Sequence, residues 1–236
     1  MDYLAVLSIA ALVAGANPGL FQTPVKDDGA GTADIVVIGF SKPYKLSVEE
    51  LRVAVVAYRQ GKPVLAPAST LYFAVDGLDG QSLSGLRLAL RSSGSTIPIA
   101  LDDNQRFVLP DLGTGKWDLV ANRGRNGLSI RPIVLSPGTD AGDRRLGDLR
   151  LQCSVLWSIE KHHASLPMRA IFGAAGGCRS TKLALYTKTD RPIAEAFVLM
   201  DGKRTPVPVL SDRRTYRAPL GEKSLRDEAR VRFTFS

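Results

Sequence analysis

The chain has 236 residues, of which 44% are hydrophobic and 23% charged, and its formal net charge is +8. That length fills one large β domain or two small ones with an adequate core, and the composition excludes wholesale disorder. With 22 Gly and 14 Pro the chain is expected to turn often.

Leu4 to Ala16 is an uncharged run that ends in Ala14-Gly15-Ala16, the small-x-small pattern of a signal-peptide cleavage site. The run is too short to cross a bilayer, which takes ~20 residues, and Asn17-Pro18 stop any helix there. Residues 1–16 are therefore expected to be a signal peptide, and no Cys stands at the cleavage site to carry a lipid anchor. Removing them takes away one charge, Asp2, so the mature chain is more basic still. A basic surface points to anionic neighbours: phosphorylated envelope glycans, lipid headgroups or an acidic protein. Export disfavours nucleic acid, and no transmembrane helix is expected in the mature chain.

Residues 17–33 have no sustained periodicity and read as a flexible mature N-terminus. Residues 34–62 read as a short strand plus a helix. Ala33 to Gly39 is the apolar strand. Ser47-Val48-Glu49-Glu50 is a capping box; Leu51, Val55 and Tyr58 recur at helical spacing, and Gly61 is expected to end a helix of about three turns. Glu49 and Glu50 point in different directions on a helix, so capping rather than acid–base work is their expected role.

From Ser69 the period becomes two. Leu71, Phe73 and Val75 form one strand pattern and Leu86, Leu88 and Leu90 another, with a turn at Ser92 to Ser95 before Ile97 to Leu101. Asp102 to Gln105 is a polar turn, Phe107 and Leu109 share a strand face, and Pro110 to Gly115 break the chain. Trp117, Leu119 and Ala121 then alternate with Asp118, Val120 and Asn122. Leu128 to Leu135 is a further strand. The longest alternation is Leu149, Leu151, Cys153, Val155, Trp157 and Ile159, which reads as a half-exposed strand. Ala170 and Phe172 continue that style before the small-residue run Gly173 to Gly177. Asp201-Gly202 between apolar runs predicts a hairpin with a type I′ turn. Val231, Phe233 and Phe235 alternate at the C-terminus.

A shift of 109 positions aligns Leu90, Thr96, Leu101, Asp103 and Pro110 with Leu199, Thr205, Leu210, Asp212 and Pro219, and sets Phe107 against Tyr216. A duplicated β-module would leave this pattern. The resulting expectation is a mostly β protein: one or two antiparallel β-sandwich modules, over residues 63–160 and 161–236, with one short N-terminal helix.

The order Asp, turn, Arg106-Phe107, apolar, Leu109-Pro110-Asp111-Leu112, Gly, Lys116, aromatic, x, Leu119-Val120-Ala121 resembles the carboxypeptidase regulatory-like modules. The resemblance covers about residues 84–123. It implies a transthyretin-like, Ig-like β-sandwich and an accessory role on exported proteins, with no catalytic residues to carry over. Those modules have a small residue and a Gly in the turn where this chain has Asn104 and Gln105. Asp34-Ile35-Val36-Val37-Ile38-Gly39 is similar to a segment near the start of many TonB-dependent outer-membrane receptors, which implies a Gram-negative envelope. The chain is far too short for the receptor barrel.

Cys153 and Cys178 suit an oxidising compartment, and with no C-x-x-C motif a structural disulfide is preferred over reactive thiols. Bridging them would contribute roughly 3 kcal/mol by limiting the unfolded chain. His162 and His163 are the only histidines and would point to opposite faces of a strand, so an exposed loop pair is expected rather than a metal site. No G-x-S-x-G elbow is present, and Gly173 to Gly177 lacks the G-x-x-x-x-G-K-[ST] pattern of a phosphate cradle. The residues proposed for binding are basic. Arg123, Arg125 and Arg131 lie near one turn, Arg144 and Arg145 in the next loop, and Arg213, Arg214 and Arg217 near the equivalent turn of the repeat. Arginine forks suit carboxylate or phosphate.

These features together predict a periplasmic or secreted, non-enzymatic module that binds an envelope protein or anionic glycan, with no cofactor and no metal. Two alternatives stand beside it. One is an envelope-polymer hydrolase or transferase using loop carboxylates such as Asp102, Asp103 and Asp143. The other is a structural subunit stable only in a complex.

Overall fold

The computed structural model describes residues 43–78, 81–124, 127–140, 142–181, 186–189 and 191–236. The signal-peptide run, the 17–33 terminus, the strand expected at residues 33–39 and Arg125 lie outside the described residues. The chain divides into two units. Of the described residues, the larger comprises Arg52–Tyr72 and those from Pro132 to Ser236, and the smaller residues 43–51 together with those from Phe73 to Arg131.

In the smaller unit β1 (Pro43–Ser47), β3 (Leu88–Arg91), β4 (Thr96–Ile99) and β6 (Asp118–Gly124) form an antiparallel sheet in the order β1-β6-β3-β4. Leu88 lies opposite Ala121 and Leu90 opposite Leu119, and all four are buried. The period-two pattern thus puts one face of each strand into the core. A second sheet has the order β5-β2-β7, from β2 (Thr70–Gly77), β5 (Arg106–Phe107) and β7 (Leu128–Leu135). Phe107 stacks on Phe73 with ring centroids 5.5 Å apart. The turn before β5 is tied by Asp102, whose Oδ1 accepts from the Asn104 and Arg106 N–H groups. Gln105 takes a left-handed φ of 56° there.

The larger unit holds most of α1 (Val48–Leu65), α2 (Leu146–Glu160) and α3 (Leu166–Ala174), and its main sheet has the order β11-β10-β13-β8. These strands are β8 (Asp143–Arg145), β10 (Ile193–Met200), β11 (Lys203–Pro206) and β13 (Arg230–Phe235). The predicted hairpin is present: Met200 pairs with Lys203 across Asp201 and Gly202, whose φ values of 50° and 76° are the two positive angles of a type I′ turn. A short pair, β9 (Tyr186–Lys188) with β12 (Thr215–Arg217), sets Tyr216 opposite Thr187. The two four-stranded sheets share one plan. In each, a hairpin forms one edge, the last strand of that sheet follows, and the strand leading into a helix forms the other edge.

The chain is mostly β, but the expectation of a single short helix is corrected: the described residues contain three α-helices. The alternation over 149–159 belongs to α2, not to a strand. Leu149, Cys153 and Trp157 face the sheet core of Ile193, Val198, Val231 and Phe233. Leu151 and Val155 are buried too, and Leu151 lies against Gly61 of α1. Two i,i+4 series offset by two residues point to opposite sides of a helix, because each residue turns it by about 100°. Their superposition imitates a period of two. Ala170 and Phe172 likewise lie in α3.

Helix α1 starts where predicted, with Ser47 Oγ accepting from the Glu49 N–H at 3.3 Å. It continues through Gly61 to Leu65. Gly61 is a close-approach residue: a Cβ there would lie 2.6 Å from Leu151 Cδ1. Gly147 is tighter, since its Cβ would lie 2.1 Å from the Leu65 carbonyl oxygen, a backbone atom that no rotamer change can move. Gly147→Ala is expected to destabilise by about 3 kcal/mol, the upper range for overpacking. Gly94→Ala, where a Cβ meets open space, serves as the control, and urea midpoints measure both.

Candidate functional site

Helix α2 organises the larger unit through consecutive polar side chains. Asp148 is fully buried and accepts from the Ser136 N–H at 2.8 Å and the Ser136 hydroxyl at 2.7 Å. Gln152 Oε1 accepts from the Val134 N–H and from Arg144. Arg150 is buried and reaches the loop that follows β12. It donates to the carbonyls of Leu220 (2.9 Å), Glu222 (2.9 Å) and Leu225 (3.2 Å) and to Asp227 Oδ1 at 2.6 Å. A buried guanidinium is tolerated only with its donors engaged, so Arg150 imposes a fixed course on residues 220–227. Gly221 completes the wall, since a Cβ there would lie 2.0 Å from the Ser180 carbonyl oxygen.

That wall borders a groove of about 560 Å³, open to solvent. Pro206, Pro208 and Pro219 line it beside the hydroxyls of Ser180, Thr181 and Ser224, and Lys203 and Arg217 supply positive charge. Glu222 also lines the groove, and the hydroxyl and N–H of Ser224 hold its carboxyl below the usual carboxylate range, so it stands there as an anion beside the two cations. A second depression of about 510 Å³ shares Gly221 and Leu225 with the groove and carries Arg179, Lys223 and Arg226 beside Asp227 and Glu228. Among the described residues no ion pair engages Lys203, Arg217, Arg179 or Lys223. A smaller apolar hollow of about 110 Å³ lies between Leu149, Cys153, Trp157 and Phe172.

The disulfide is formed: Cys153 of α2 joins Cys178, in the short 3-10 turn Gly177–Arg179 after α3, with Cα atoms 5.8 Å apart. His162 and His163 are exposed in the turn after α2. Among the described residues no three His, Cys, Asp or Glu side chains converge as a metal site. No helix there is long and apolar enough to cross a membrane.

The basic residues singled out from the sequence are not gathered in one place. Arg123 donates to the Asn122 and Ser84 carbonyls, and Arg131 pairs with Asp76 at 2.6 Å. Arg144 is in β8 rather than in a loop; it is buried and donates to the Val134 carbonyl at 2.9 Å. Arg145, also in β8, lies 4.0 Å from Glu228. Arg213 holds a left-handed φ of 53°, and Arg214 is an exposed turn residue. Arg217 alone of the set lines the groove. Lys203, Arg179, Lys223 and the positioning residue Arg150 carried no signal in the sequence beyond their charge.

The loop carboxylates have structural partners. Asp102 makes an ion pair with Arg106 at 2.8 Å. Partial burial pushes the Asp143 carboxyl up, yet the hydrogen bond and charge of Arg230, joined by Arg232, hold it below the usual carboxylate range. Asp103 is an exposed turn residue. Compared with protein-family models, curated proteins and solved structures, the chain matches none.

Because the folded pKa of Asp143 is depressed, its stabilising contribution is complete above the unfolded value of about 3.9 and is lost as pH falls through the folded one. Asp143→Asn is expected to cost about 1 kcal/mol at neutral pH, after discounting for water around Arg232, with the difference from wild type closing in acid. Thermal melts across pH measure it. Replacing Cys153 and Cys178 together by Ala is expected to remove roughly 3 kcal/mol, read from denaturant midpoints.

Proposed function

We propose that the chain is an exported, non-enzymatic binding module of the Gram-negative envelope that takes an extended acidic stretch of a partner protein into the groove of the larger unit. The observation that carries this reading is the wall of residues 220–225, held by Arg150 and flanked by the unpaired cations Lys203, Arg217, Arg179 and Lys223. Such cations attract carboxylates, and their exposure lets them do so without a burial cost. Prolines and short hydroxyl side chains line the groove, a surface that suits an extended polypeptide.

The oxidised cysteine pair supports an oxidising compartment. The shared plan of the two four-stranded sheets supports a duplicated module. The resemblance of residues 84–123 to carboxypeptidase regulatory-like modules belongs to the same reading, an accessory domain on the exported side.

In-cell crosslinking from the groove, followed by pull-down, is the test. Wild-type protein is expected to capture an envelope protein, and Lys203→Glu with Arg217→Glu to weaken that capture about tenfold or more, with loss at high salt. Capture unchanged by the double variant sinks the assignment of the groove.

A further inference from the structure

Helix α3 buries one side chain, Phe172, which stacks on Trp157 with ring centroids 3.9 Å apart. Its other apolar residues face water: Leu166 is 76% exposed, Ile171 57% and Met168 46%, and Pro167 and Ala170 are exposed beside them. The helix is nevertheless well defined. Ser165 Oγ caps it by accepting from the Met168 N–H, and Arg169 folds back to donate to the Ala164 carbonyl at 2.9 Å. Cys178, four residues beyond its end, is bonded to α2.

A second observation concerns charge. Residues 161–181 contain no Asp or Glu, and they carry Lys161, Arg169 and Arg179 with His162 and His163. An apolar projection on a segment whose own charged residues are all basic is the pattern of a segment that lies in the interface of an anionic bilayer. We infer that α3 docks on an anionic lipid surface, with Leu166 and Ile171 entering the acyl boundary and the flanking basic residues meeting the headgroups. Nine residues cannot span a bilayer, so the helix lies on it. A fluid lipid surface needs only the apolar projection and matching charge. Arg179 also carries the second depression beside the groove wall, but the apolar face of α3 does not line the groove and the inference does not rest on it.

The test is flotation of the full-length protein with vesicles of mixed phosphatidylglycerol and phosphatidylcholine, against vesicles of phosphatidylcholine alone. Binding is expected to the mixed vesicles and to weaken with added salt. Leu166→Glu with Ile171→Glu is expected to lower it about tenfold or more. Both side chains are exposed, so the variant should keep the wild-type circular dichroism and disulfide. Lys161→Glu, which touches no apolar contact, is expected to weaken binding at low salt only. Undiminished binding by the Leu166/Ile171 variant, as when the apolar run at Leu4 to Ala16 does the binding, overturns the inference. So does equal flotation with pure phosphatidylcholine. Self-association that the same variant abolishes, without vesicle binding, assigns the face to a second copy and also overturns it.

Discussion

The larger unit depends on one helix being buried along two opposite sides. Helix α2 presses Leu146 and Leu149 into the sheet core and Leu151 against α1, so none of its turns is free to move. Double burial turns its buried polar side chains onto backbone and polar groups of the neighbouring chain. Asp148 takes both donors of Ser136, Gln152 takes the Val134 N–H, and Arg150 takes three carbonyls and a carboxylate. Each of these would carry a desolvation penalty of several kcal/mol if left unpaired. The pairing therefore fixes two loop segments and the end of β7 as firmly as the apolar packing fixes the helix.

Both surfaces assigned to binding hang from this helix. The groove wall is held by Arg150, and α3 is held by the stack on Trp157 and by the disulfide from Cys153. This is the usual division in a small β-rich domain, with a rigid element inside and the recognising segments on irregular chain outside. The difference lies in chemistry. Around the groove the free groups are charged, while on α3 they are apolar.

Much of the sheet structure was legible because half-buried strands carry their own period. β2, β7 and β13 lie where alternation places them, and the Asp201-Gly202 turn was readable from two residues. Helix α2 was not, because burial on both sides erases the amphipathic stripe that marks a helix. Gly61 misled for a related reason: a glycine that admits a neighbouring helix looks the same in sequence as one that ends its own. Among the candidate arginines the sequence could not separate Arg144, buried on the Val134 carbonyl, from Arg217, free at the groove. Charge is visible in a sequence, but whether it is already spent depends on partners far along the chain.

Strand β11 bears on the kind of recognition proposed for the groove. It is an edge strand whose four residues are all exposed, the position at which a partner strand could add to the sheet. Pro206 has no N–H to offer, and Lys203 and Arg204 bring charge to the same edge, with Arg204 drawn over the Phe197 ring and paired to Glu195 at 2.5 Å. These are the features by which sheets resist backbone addition. Backbone pairing being blocked, affinity at the groove falls to side chains, where exposed cations speed encounter and salt screens them. The partner proposed for the groove would on this ground be selected by its pattern of acidic side chains, not by its readiness to become a strand.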